Sequence, residues 1–150
     1  MAKGSTVCAA LAALFAASGA FTGVKVVDGP QVTYEANPEW LFVGFDGGDA
    51  DGKGVGIQTE QDWMSFNRTF DERAAVTCAL VVTAGNAELV TARARVYTLL
   101  TAASDAIRTD PTLGGTVMKS YVSGHTYHPQ IGSGGSKARL VFTVTYQAQL

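Results

Sequence analysis

The sequence predicts an α+β fold: a two-layer sandwich in which two main helices pack on one face of a mostly antiparallel sheet. Three observations predict it. Residues 89–107 carry an apolar stripe at helical spacing, residues 138–150 alternate apolar and polar with period two, and the elements run helix, several strands, helix, two strands. A chain of 150 residues with 47% hydrophobic composition is read as one domain, 1–150, with a core large enough to fold unaided.

Each element has its own local grammar. In "MAKGSTVCAALAALFAASGA", Ser5 or Thr6 is placed to cap a helix, Val7, Leu11, Leu14, Phe15 and Ser18 recur at helical spacing, and Gly19 follows as a stop. Lys3, the apolar run and the small residues at 18–20 also have the outline of a secretory signal, but the alanine-rich run and its helical pattern favour a retained helix. A short strand over 24–27 ends at the Asp28-Gly29-Pro30 turn. "EWLFVGFD" is apolar on both sides through Trp40, Leu41, Phe42, Val43 and Phe45, which suits a central strand covered on both faces.

One or two further strands are expected in 57–85. In the second, Ala74, Val76, Cys78, Leu80 and Val82 alternate with Ala75, Thr77, Ala79 and Thr83, so one face lies on the core. Gly85 breaks that pattern and Asn86 is placed to cap the next helix. Its stripe is Leu89, Ala92, Val96, Leu99, Leu100, Ala103 and Ile107, with Arg93, Arg95 and Asp105 off it. Asp110-Pro111 stops this helix, and a strand follows through Val117, Met118, Tyr121 and Val122. After a glycine- and serine-rich tip, Ala138, Leu140, Phe142, Val144, Tyr146, Ala148 and Leu150 face one way along a final strand. These last two strands are consecutive and are read as antiparallel neighbours.

Charge narrows the function classes. Lys plus Arg number 11 against 13 Asp plus Glu, a net of −2, so no global field draws the chain to DNA or an anionic membrane. Only 16% of residues are charged and 17 are glycine, a balance that leaves small and apolar surface suited to contact with another protein. Cys8 and Cys78 lie in apolar stretches away from any C-x-x-C or Cys/His cluster, and are read as buried, reduced thiols. No later stretch is long enough to span a membrane.

Several motifs touch on chemistry without completing it. In "FDGGDADGKGVG", Gly47 to Lys53 fit G-x-x-x-x-G-K, but Gly54 stands where a P-loop needs Ser or Thr for Mg²⁺. Setting Asp49, Asp51 and Gly52 at positions 3, 5 and 6 of a calcium loop puts Gly47 at position 1 and Gln58 at position 12, so two anionic ligands are missing. The stretch is read as a mobile acidic turn between strands. His125 and His128 could share a metal on a helix, but Pro129 and the Ser and Gly around them point to solvated histidines in a turn or strand end.

Asp71-Glu72-Arg73 is a candidate acid cluster whose place at the start of a strand reads as a solvated edge. Asn67-Arg68-Thr69 fits a glycosylation acceptor but has no meaning without secretion. Trp40, Trp63 and Phe66 could stack on a base or sugar, although strand aromatics more often anchor cores and interfaces. With no nucleophile beside a base, no carboxylate pair and no gathered ligands, the expectation is a protein that is not an enzyme and takes no cofactor or metal.

The succession "ARARVYTLLTAASDAIRTDPTLGGTVMKSYVSG", a short polar tip and "ARLVFTVTYQAQL" resembles the tail terminator proteins of long, non-contractile-tailed bacteriophages. The opening helix, "GVKVVDGPQVT" and "EWLFVGFDG" look like the start of the same family, so the similarity covers nearly the whole chain in order and spacing. The resemblance implies an α+β protomer in a six-membered homo-oligomeric ring at the head-proximal end of the tail tube, in the virion, made in the host cytoplasm. Such a ring stops polymerisation of the tail-tube protein and accepts the head-tail connector protein on its other face.

The chain departs from the commoner pattern in its glycine-rich tips, 47–56 and 132–136. Candidate interface or channel residues are Asp46, Asp49, Asp51, Lys53, His125, His128, Ser133 and Lys137, and an acidic tip facing the channel would let DNA pass without specific binding. Two alternatives stand beside this reading: a head-to-tail connector or head-closure ring protein, and a small secreted α+β domain with residues 1–20 as its signal.

Overall fold

The chain runs α1 (Gly4–Ala17), a 3₁₀ turn (Gly19–Phe21), β1 (Lys25–Asp28), β2 (Glu39–Val43), β3 (Ile57–Trp63), β4 (Phe70–Ala84), α2 (Leu89–Thr109), β5 (Lys119–Gly132) and β6 (Gly135–Gln149). These elements come from a computed structural model that describes residues 2–30, 37–48, 55–63, 69–84, 89–132 and 135–150. The predicted class holds: two helices and a mostly antiparallel six-stranded sheet, with α2 packed against the sheet.

Sheet order is β1-β2-β4-β6-β5, with β3 also paired to β4. The fifteen-residue strands β4 and β6 form its spine, in unbroken antiparallel register from Asp71↔Gln149 to Ala84↔Ser136. Because β6 occupies one flank of β4, the shorter strands share the other, β3 opposite 70–76 and β2 opposite 78–82. β2 and β3 therefore do not pair with each other as a hairpin, since they lie end to end along β4. The short β1 joins β2 in the sheet's one parallel pairing among the described residues.

Alternation decides what is buried. The even positions of β6 from Ala138 to Ala148 are all enclosed, as are Val76, Cys78, Leu80 and Val82 of β4, and they meet the helices on one face. From α2 come Ala92, Val96, Leu99, Ala103 and Ile107, the stripe expected from the sequence; from α1 come Val7, Cys8, Leu11 and Phe15. The Phe15 ring sits 5.6 Å from that of Phe21 and 6.5 Å from that of Phe142, tying α1 through the 3₁₀ turn to the centre of β6. Each Val, Leu, Ile or Phe among them stabilises the fold by about 1.5–3 kcal/mol relative to exposure. Arg95, off the stripe, is held by a bidentate pair to Glu39 at the start of β2, with Nε–Oε2 at 2.6 Å.

The start of α1 differs from the expectation. The N-cap is Lys3, and neither Ser5 nor Thr6 caps the helix, because both lie within its first turn. A carboxylate from elsewhere in the fold takes the capping role. Glu72, fully buried in β4, accepts the Lys3 backbone N–H at 3.1 Å, the Gln61 side-chain amide at 3.2 Å and the hydroxyl of Tyr146. A negative group at a helix N-terminus meets orphan N–H donors and the positive end of the helix dipole. Lys3 also donates its ammonium to the Thr116 carbonyl at 3.2 Å, joining this point to the turn after α2.

Glu72 thus overturns the reading of Asp71-Glu72-Arg73 as a solvated edge. At this point β4 runs between β3 and β6 and is not an edge strand, and alternation sends Glu72 to the helix face while Asp71 and Arg73 face the other way. Replacing Glu72 by Ala should destabilise the protein by about 3 kcal/mol, because it strips three donors of a buried partner. Thermal unfolding of the variant should fall by roughly 6–12 °C, with Tyr146→Phe showing a smaller drop.

Candidate functional site

Among the described residues, no three His, Cys, Asp or Glu side chains gather into a metal-holding group, and no helix is long and apolar enough to cross a membrane. The features that distinguish this molecule are surfaces, above all the sheet face opposite the helices and the outer edges of β3 and β5.

The helix-free face has two halves. Against the upper half of β4, Val27, Trp40, Phe42, Phe45, Ala79 and Val81 form a second apolar cluster. Trp40 stacks on Phe42 at 5.6 Å, and Phe42 meets Phe45 edge-on at 5.3 Å. The double-sided burial expected of "EWLFVGFD" is real, but β2 stops at Val43. Gly44, at φ 71°, turns the chain so that Phe45 to Gly48 fold back over this face. Gly47, at φ 68°, passes so close that an added Cβ would lie 3.0 Å from the Ala79 Cβ and 3.2 Å from Val81.

The Asp46 side chain accepts the Gly48 N–H at 2.9 Å, and its carbonyl accepts Arg139 Nη1 at 2.8 Å. In its described part, then, the predicted mobile acidic turn is a packed cover, because Phe45 and Gly47 are drawn onto an apolar surface. Asp49, Asp51 and Lys53 lie outside the described residues, as do Phe66, Asn67, Arg68, Asn86 and Ser133.

The lower half of this face is open and largely polar. Its cross-strand rows are read directly from the register. Glu60 lies opposite Arg73, Arg73 opposite Gln147, and Gln147 opposite Lys119; the next row runs Gln58, Ala75, Thr145 and Tyr121. Two shallow depressions of ≈ 200 and ≈ 300 Å³ flank Arg73. Asp71 is held by the Gln147 amide at 2.9 Å and approached by Arg73 at 3.6 Å.

The histidines do not occupy a turn. Both lie inside β5, where Pro129 is tolerated because β5 is an edge strand. His125 pairs with Phe142 on the helix face and packs edge-on against Tyr97 at 5.5 Å, whereas His128 pairs with Arg139 on the opposite face. A separation of three in a strand puts them on opposite sides, so they cannot share a metal.

Strands β5 and β6 pair up to Gly132↔Gly135, leaving 133 and 134 between them, and Ser136 and Lys137 belong to β6, with Lys137 opposite Thr83. Trp40 and Trp63 do not cluster. They lie opposite Val81 and Phe70, towards the two ends of β4, and Trp63 packs on Phe70 at 5.1 Å. Sequence reading missed Glu72 as an anchor and Arg95 as a tie to Glu39. The available signal for Glu72 was its place in phase with the apolar even positions of β4.

Cys8 and Cys78 are both buried and unpaired with each other. Burial, with Asp28 adding to it, pushes the Cys8 thiol up to about 11. Burial also pushes Cys78 up to about 12, against the opposing hydrogen bond with the Gly44 backbone. Burial and then the bond to Glu72 raise the Tyr146 hydroxyl as well.

A scan against protein-family models finds no match for this chain, and a search of curated proteins finds none either.

Two outcomes follow from this geometry. Gly47→Ala should cost about 1–2 kcal/mol, since it combines a left-handed backbone with a Cβ pressed on Ala79, and chemical denaturation reads that loss. The stability gained by keeping both thiols protonated is full below their ordinary value of 9.0 and is lost as pH rises towards about 11 for Cys8 and about 12 for Cys78. The urea midpoint should therefore fall between pH 8 and pH 11, while iodoacetamide at pH 8 labels neither thiol until the protein unfolds.

Proposed function

We propose that this chain is a structural virion protein: a tail terminator subunit that forms a ring at the head-proximal end of a long, non-contractile phage tail, halts tube polymerisation and offers its other face to the head connector. One observation carries the reading. The segments behind the family resemblance are the segments that build the protomer, with "ARARVYTLL" in α2, "DPTLGGTV" in the turn after it, and the closing alternation in β6.

The chemistry supports a structural role. The open lower half of the sheet is lined by Thr, Gln and Ala with a few charges, and no described group of side chains forms a nucleophile, base and orienting partner. A cyclic ring joins unlike patches of successive copies, so it requires two different open surfaces on one protomer, and the two edges of this sheet differ in that way. The acidic stretch from Asp46 through Asp51 is of the right sign to keep DNA phosphates from adhering as they pass. No enzymatic activity, cofactor or metal enters this role.

Deleting the gene from the parent phage and imaging the lysate tests the reading. Headless tubes running well beyond normal length are the expected result. Tails of normal length that fail to join heads would transfer the protein to a connector role.

A further inference from the structure

The sheet has two long outer strands, β3 on one side and β5 on the other. Among the described residues β3 pairs only with β4 and β5 only with β6, so each presents an outer row of backbone donors and acceptors. Such an edge is a template for another strand unless something covers it. We propose that residues 57–60 of β3 in one copy pair with residues 119–122 of β5 in the next copy, continuing one sheet from subunit to subunit. This rests on the ring reading above and names the contact that would hold the ring together.

Direction and register follow from the fold. β3 and β6 both run against β4, while β5 runs with it, so rotating one copy beside another without inverting it sets β5 antiparallel to the neighbour's β3. That is the more stable pairing. With the strands of this junction set along the ring axis, rotation carries no offset along them, and each cross-strand row continues at its own level. Lys119 then meets Glu60 of the neighbouring copy, Tyr121 meets Gln58, Ser120 meets Thr59 and Val122 meets Ile57, because each pair already ends the same row within one subunit.

Three of the four matches are a cation with an anion, an aromatic ring with an amide, and two apolar side chains; the Ser120 hydroxyl is buried and already donates to the Pro111 carbonyl at 2.8 Å. Val122 and Ile57 are both partly buried at the margins of the main core, so the pairing extends that core across the junction. Directly opposed pairs of these kinds are the units that stabilise antiparallel sheets.

Two further observations agree. Met118, 58% exposed just before β5, would lie diagonal to Trp63 of the neighbour, which is 64% exposed; with Tyr121 at 50%, the junction shelters three large hydrophobic groups. The register of β5 shifts between Val122 and Gly124, where Ser123 donates to the Thr143 carbonyl. A bulge twists the strand beyond it, and so limits the pairing to the four residues before it.

The test uses the full chain carrying Gln58→Cys and Tyr121→Cys together, treated with a short bismaleimide, with each single variant as control. A ladder of cross-linked species in the double variant alone supports the pairing. Oligomers by native mass spectrometry without a ladder overturn it and leave the ring reading standing. A monomer at every concentration, without a ladder, overturns it too, and the ring reading is then decided by tail length. In an independent measurement, Lys119→Glu and Glu60→Lys should each weaken association at least tenfold, and the combined swap should restore it; two neutral reversals would overturn the pairing.

Discussion

A single buried carboxylate fixes how the layers of this protein meet. Glu72 sits where the first turn of α1, the end of β3 and the end of β6 converge, and it takes a hydrogen bond from each. An ionised group without partners in such a place would cost several kcal/mol, so its three donors are a condition of the fold and not an ornament on it. The position of α1 follows from this. Its N-terminus is held over the lower end of the sheet, and its buried side chains join the core that includes Val43, Cys78 and Phe142, with Phe15 edge-on to Phe142.

A second constraint works from the opposite side. β4 is fifteen residues long, and its two halves face different surroundings on the helix-free side. Its upper half is apolar there, at Ala79 and Val81, and is covered by the chain returning through Phe45 and Gly47. The lower half carries Arg73, Ala75 and Thr77 and stays open. The same strand therefore divides the face into a sealed part and a part available to other molecules.

What could be read in the sequence was whatever depends on periodicity. The stripe from Ala92 to Ile107 and the alternation from Ala138 to Ala148 became α2 and β6 as expected, because each element buries one regular face. Features set by contacts distant in the chain were not legible. Ser5 and Thr6 looked like caps, but the partner of that helix end comes from β4. The segment after β2 read as a mobile turn between strands, yet its described part, Phe45 to Gly48, is packed over the helix-free face. His125 and His128 looked like turn residues because Pro129 follows them, and Pro is admissible on an edge strand. Of the candidate surface, only the residue types were legible; the rows that align Glu60 with Lys119 exist only once three pairings are known.

The reach of the Glu72 contacts also bears on how the chain is made. Lys3 is bound to a residue 69 positions later, and that residue to one a further 74 along, so the partners that hold the start of α1 are synthesised long after it. Non-local contacts of this kind delay folding, because loops must close before they are rewarded. An alanine-rich helix of fourteen residues is marginal by itself in water. The contact that joins the layers is accordingly complete only when the final strand delivers Tyr146 and the first helix and last strand meet on the same carboxylate.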